Sequence, residues 1–199
     1  MTDWKETTWA EFLCRLPPGQ ESDWLPLTTL TPSHGKLAAA DAILCGDTGR
    51  CIVEVPAGEY HVAAKVIAYE DETTRPSRIR AVSDLPATLG SEIGSIGVDH
   101  WRAAIFDPDA IDRAGATLTD DDGEALQRQI DDIDVLGLVQ IATHPEAVLP
   151  TVFAGFGDGC YPVYELVRDG ERVGLEVVFI GDDAHQNPDQ KIITRRSHE

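Results

Sequence analysis

The sequence predicts an α+β domain, mainly antiparallel β-sheet or sandwich built from hairpins, with a short N-terminal helix and an acidic helical insertion. Three observations carry this. Asp169-Gly170 lies between the runs 160–167 and 172–180, and Asp-Gly supplies the positive φ a two-residue hairpin needs. Residues 59–69 place Tyr60, Val62, Ala64, Val66 and Ala68 at every second position, the period of a strand with one buried face. Helical patterns occur at 8–16, in an acidic turn from Asp107 through Arg113 and at roughly 123–133, so the helices are inserted among hairpins rather than alternating with parallel strands.

In chain order, 8–16 reads as a helix. Thr8 and Glu11 form a capping box, and Trp9, Phe12, Leu13 and Leu16 share one face until Pro17-Pro18-Gly19 stops it. Residues 20–34, with Pro26 and Pro32, read as an irregular connector. Strands at 36–45 and 50–55 flank a tip at Gly46-Asp47-Thr48-Gly49, and Val55-Pro56-Ala57-Gly58 suits a type I turn. The long strand 59–69 follows, then a short one at 78–82. Residues 84–96, with Pro86, Gly90 and Gly94, read as loop. A strand at 101–106 leads into an acidic helical turn from Asp107-Pro108 through Arg113. Asp121 or Asp122 then caps a helix over about 123–133, with Leu126, Ile130 and Ile133 on one face. Residues 135–142 are apolar and β-branched, and 151–154 lead into a glycine turn before the last hairpin. The expected organisation is one globular domain over 1–199: helix and connector 1–34, β-rich core 35–180, polar tail 181–199.

The 199 residues are 42% hydrophobic, enough for one well-buried core. With 35 acids against 16 bases the formal net charge is −19. Such a surface repels nucleic-acid phosphates and anionic membrane, and favours a basic partner. No apolar run approaches the ~20 residues of a membrane helix, and the start, Met-Thr-Asp-Trp-Lys-Glu, lacks a signal-peptide pattern. Both place the chain in the cytoplasm. There the thiols of Cys14, Cys45, Cys51 and Cys160 are expected to be reduced, although Cys45 and Cys51 flank the predicted tip and could face each other.

The chain lacks a Gly-x-Ser-x-Gly elbow and a phosphate or dinucleotide glycine loop. Its six histidines have no His-x-x-x-His spacing, and the run from Asp120 departs from a calcium loop, with Ala125 at the sixth position and Asp131 at the twelfth. No cofactor or metal is expected. Gly155, Gly157, Asp158 and Gly159 form a turn that is either a structural corner or a ligand site. Asp158 either accepts backbone N–H bonds inside that turn or serves as a metal ligand or acid/base, joined by Asp41 or Asp99. Asp99-His100 favours a structural role, since neighbours on a strand point to opposite faces.

Four segments together resemble a family of bacterial proteins, the domain of unknown function 4241 family. They are Gly35-Lys36-Leu37 leading to Asp41, Val55-Pro56-Ala57-Gly58-Glu59-Tyr60, Gly97-Val98-Asp99, and Gly155-Phe156-Gly157-Asp158-Gly159-Cys160-Tyr161-Pro162-Val163-Tyr164. Ala42 and His100-Trp101 depart from the family's pattern. The resemblance implies a compact bacterial domain and no activity.

The leading expectation is a non-enzymatic acidic protein-binding domain, in its specific form an immunity or inhibitor protein neutralising a basic bacterial toxin. The binding residues would be Asp107, Asp109, Asp112, Asp120, Asp121, Asp122, Glu124, Asp131, Asp132 and Asp134, ten acids set against only Arg113 and Arg128 within 106–134. The alternative is a carboxylate-based hydrolase or metal-binding domain using Asp41, Asp99 and Asp158, which requires the three to converge. A third reading is an accessory module with an unspecific acidic surface. Oligomeric state and strand order stay open.

Overall fold

A computed structural model describes residues 13, 16–43, 49–71 and 73–181. The predicted helix at 8–16, the tip with Cys45, and the tail beyond 181 fall almost wholly outside these residues. Eleven described strands run β1 (Leu25–Leu30), β2 (Lys36–Asp41), β3 (Cys51–Glu54), β4 (Tyr60–Ala68), β5 (Thr74–Val82), β6 (Thr88–Val98), β7 (Arg102–Phe106), β8 (Leu136–Ile141), β9 (His144–Phe153), β10 (Gly159–Arg168) and β11 (Glu171–Val178). Two helices, α1 (Pro108–Gly115) and α2 (Asp120–Asp131), lie between β7 and β8. The strands form two antiparallel sheets, ordered β1-β4-β5-β11-β10-β6 and β3-β2-β7-β9-β8. The described residues are therefore mostly antiparallel sheet, with two short helices between β7 and β8.

The period of two in β2 explains the layering. Leu37 and Ala39 point into the space between the sheets, where they meet Tyr60, Val62, Ile79, Ile96, Leu175 and Val177 of the six-stranded sheet. Ala38 and Ala40 point the other way and join Ala104, Phe106, Val139 and Leu149 beneath Ile111 and Ala114 of α1 and Ile130 near the end of α2. The order of layers is sheet, sheet, helices. Each fully buried Leu, Ile or Phe contributes about 1.5–3 kcal/mol of transfer free energy.

The β10–β11 hairpin turns at Asp169 and Gly170, with φ of 52° and 84°, as the Asp-Gly signal requires. Three expectations are overturned. Residues 84–96 are not loop: β6 covers most of them and pairs with β10 along its length. Its glycines are strand residues, and at Gly94 a Cβ would meet the Cys51 sulfur at 3.0 Å. The 20–34 connector contains β1, an edge strand in which Pro26 sits beside a register shift and so removes little ladder bonding. Helix α2 starts at Asp120, capped by Thr119 rather than by Asp121 or Asp122. The Thr119 hydroxyl accepts the Asp122 N–H at 3.2 Å, and the Asp122 carboxylate takes the Thr119 N–H in return at 3.1 Å. Strand β5 also begins four residues before the predicted 78–82. Among the described residues no helix is long and apolar enough to cross a membrane.

Candidate functional site

One end of the sandwich gathers the last residue of β2, the link between β6 and β7, and the turn between β9 and β10. Asp41 organises it. Its carboxylate is 2% exposed and accepts three backbone N–H bonds, from Ile43 at 2.8 Å on Oδ1 and from Asp99 and His100 at 2.8 and 2.9 Å on Oδ2. The His100 ring, half open to solvent, lies with Nδ1 3.4 Å from the same Oδ2. A buried carboxylate holding three N–H groups is a charge-assisted clamp on the β6–β7 link. Asp99 and His100 are joined through Asp41, not through each other.

The clamp leads into Trp101, whose φ is +62° and whose side chain is 53% exposed. The left-handed region costs a bulky residue roughly 1–2 kcal/mol, so the surroundings hold it there. The Trp101 carbonyl accepts the Ala154 N–H at 2.7 Å, and its ring lies over Gly157, where a Cβ would sit 3.3 Å from the indole Cδ1.

The glycine turn is tied from below. Gly155 and Gly157 have φ of +51° and +102°, which explains the residue type at both. The buried Tyr161 hydroxyl lies 2.9 Å from the Ala154 carbonyl and 2.6 Å from that of Gly157, and shares its proton between them. Arg75 donates to the Gly155 carbonyl at 3.3 Å and lies 5.1 Å above the Phe156 ring, which Tyr69 meets edge-on at 6.0 Å. Asp158 does not cap this turn. Its side chain is exposed, and among the described residues none donates a hydrogen bond to it. Gly159 pairs with Val98, so Asp158 and Asp99 continue from the same ladder end. Asp41, Asp99 and Asp158 therefore reach one corner, but the Asp41 oxygens are occupied by backbone. Among the described residues no three His, Cys, Asp or Glu side chains are grouped to hold a metal ion.

The ten acids of 107–134 separate into two kinds. Asp107, 8% exposed, caps α1 through the N–H groups of Asp109 and Ala110 and also accepts the backbone N–H and hydroxyl of Ser33. Asp109 pairs with His34 at 2.9 Å, and Asp112 with the nearly buried Arg50 at 2.8 Å. Asp122 is spent on the capping box, where the Thr119 hydroxyl and backbone hold its carboxyl below the usual value. Asp120, Asp121, Glu124, Asp131, Asp132 and Asp134 face solvent, and among the described residues none of these six has a cationic partner. Arg102 links this group to the corner by donating to the carbonyls of Asp131 and Ile133 at 2.8 and 3.0 Å. Its charge also suits the negative end of α2.

Two constellations have no counterpart in the sequence reading. On the outer face of the six-stranded sheet, Glu176, 4% exposed, accepts from Arg78 at 3.0 Å, while Glu21 takes Lys65 at 2.7 Å and the Ser77 hydroxyl at 2.6 Å. Arg80 stacks 3.8 Å from the Trp24 ring centre. Burial pushes the Glu176 carboxyl up, and the Arg78 bond partly offsets this. These partners lie 44 to 98 positions apart, and no local pattern announces them. Near α1, the Thr117 hydroxyl lies 2.7 Å from His144 Nε2, with Glu146 3.4 Å from Nδ1. That resembles a nucleophile line, but Thr117 is exposed and its hydroxyl also bonds the Ala114 carbonyl at 3.1 Å, which suits a tie between α1 and β9.

Comparison of the chain with protein-family models, curated proteins and solved structures finds no match to any of them.

Proposed function

We propose that the protein is a non-enzymatic acidic domain that binds a basic protein, in its specific form as a cytoplasmic immunity or inhibitor protein against a basic bacterial toxin. One observation carries the reading: the carboxylates of Asp120, Asp121, Glu124, Asp131, Asp132 and Asp134 stand in solvent without cationic partners among the described residues. An unpaired acidic field raises the encounter rate with a basic surface, and salt weakens it. Asp107, Asp109, Asp112 and Asp122 leave the binding set, because each is engaged within the fold. The likeness to the domain of unknown function 4241 family supports a compact bacterial domain and adds nothing on activity. The test is affinity capture from the native host at low salt, with identification of the retained proteins. A basic protein released by moderate salt supports the reading; retention of acidic or neutral proteins alone overturns it.

A carboxylate-based hydrolase or metal-binding domain is the second reading, favoured by the shared corner of Asp41, Asp99 and Asp158. It is the weaker one, since Asp41 would have to release three backbone N–H groups to reach a ligand.

A further inference from the structure

We infer that Trp101 and Phe156 anchor a docking surface for an arginine-bearing segment of a basic partner protein; the inference rests on the acidic-binding reading above. Among the described residues six large apolar side chains are well exposed: Ile52, Leu85, Leu89, Trp101, Leu138 and Phe156. Trp101 and Phe156 belong to one corner, because Gly157, next to Phe156, lies under the Trp101 ring.

Both rings are held in place. Trp101 keeps a left-handed backbone that its own bulk disfavours. Asp41 fixes the two N–H groups before it, and Ala154 fixes its carbonyl. Phe156 sits between two glycines with positive φ on a turn tied by Tyr161 and Arg75. Backbone strain tends to persist where function uses it. Here it turns a tryptophan toward water on a rigid support, the property of an interface anchor, which loses little entropy on binding.

The surroundings select the occupant. Asp99 and Asp158 are exposed and stand two positions from Trp101 and from Phe156 respectively, and the Arg102 tie brings the end of α2, with Asp132 and Asp134, to the start of β7. A purely apolar partner would desolvate these carboxylates without pairing them. A guanidinium satisfies both features, stacking on an aromatic face and bonding a carboxylate. Arg75 already lies 5.1 Å over the Phe156 ring, although its own hydrogen bond goes to the Gly155 carbonyl and not to a carboxylate. A second copy of this chain would set acid against acid, with a net charge of −19 on each.

The test titrates a short peptide of alternating arginine and glycine into the isotope-labelled full chain at low salt. It reads the Trp101 indole N–H by NMR and affinity by fluorescence anisotropy. The Trp101 resonance is expected to shift. Trp101→Asn, a residue that tolerates left-handed backbone, should weaken binding about tenfold while the melting curve stays cooperative. Phe156→Ser should weaken it several-fold. The triple variant Asp120→Asn, Asp121→Asn, Glu124→Gln should lose only about two- to threefold, through slower association. Wild-type affinity in Trp101→Asn overturns the inference. If the triple variant then loses binding, the acidic-binding reading survives with its contact on α2; if no variant and no salt change alters binding, both fail. A dimer dissolved by Trp101→Asn, with no peptide bound, names a second copy as the occupant and also overturns the inference.

Discussion

The two outer faces of the sandwich solve the same problem in opposite ways. The five-stranded sheet presents small and apolar side chains, Ala38, Ala40, Ala104 and Phe106, and closes them under α1 and α2. The six-stranded sheet presents Lys65, Arg78, Arg80 and Glu176 and closes them with one another, with Glu21 and with Trp24. The first face gains from transfer out of water and tolerates any arrangement that stays filled. The second gains only if every charge finds its partner, because an orphaned buried charge costs more than the pair returns. The helix-covered face is therefore held by volume, and the charged face by pairing, save at Arg80, which the Trp24 ring covers and whose buried Nε has no hydrogen-bond partner among the described residues.

Variants that attack volume or pairing separately test this. The largest loss is expected from Phe106→Ala under the helices, about 3–5 kcal/mol in denaturant unfolding; a loss below ~1 kcal/mol would mean that the helices are not seated on this face. Arg78→Met should lose about 3 kcal/mol by stranding Glu176, whereas Arg78→Met with Glu176→Leu should recover most of it. A double variant as unstable as the sum of its singles would show that pairing is not what this face depends on. Trp24→Ala, which uncovers Arg80, is expected to cost about 1–2 kcal/mol, and high salt should not rescue it. Thr119→Ala should cost about 1 kcal/mol by removing the α2 cap, with helix content as readout.

The smallest effect concerns pH. Burial raises the folded-state value of Glu176 above its unfolded one, so the folded protein holds this proton more tightly. Stability from this group is then fullest below the unfolded value and declines as pH rises through the raised one. In the mildly acidic range the Glu176 contribution to unfolding free energy should fall with rising pH, so the slope of stability against pH should become less negative in Glu176→Gln than in the wild type. A slope of opposite sign at this site would mean that the Arg78 bond outweighs desolvation.

The parts of this fold legible in the sequence are those fixed by neighbours along the chain. The β10–β11 hairpin announces itself through Asp169-Gly170, and the glycine turn through residues that accept positive φ; β4 is legible through its alternation only as far as Ala64, because a bulge at Lys65/Val66 turns Ile67 into the core in place of the expected Val66 and Ala68. Strand β6 is illegible because Gly90 and Gly94 carry a local loop signal, while the pairing with β10 that overrides it comes from more than sixty residues away. Strand β1 is hidden by Pro26 for the same reason. At the corner, the prominence of Asp41, Asp99 and Asp158 is readable, but the division of labour is not. Asp41 is consumed by backbone, Asp158 is exposed and accepts no hydrogen bond among the described residues, and the left-handed Trp101 has no sequence signature at all. The acids of α1 and α2 read as one cluster, yet four of them are internal fixtures, since caps and ion pairs are decided by geometry.

Arg102 has one further consequence. Its guanidinium grips the carbonyls at the end of α2 from the first residue of β7, directly after Trp101. A molecule that pulled on the tryptophan would load this grip, and the last turn of the helix would feel the tension. Slowed or hastened amide exchange at Asp131 and Ile133 would then report an event at the opposite end of the lever.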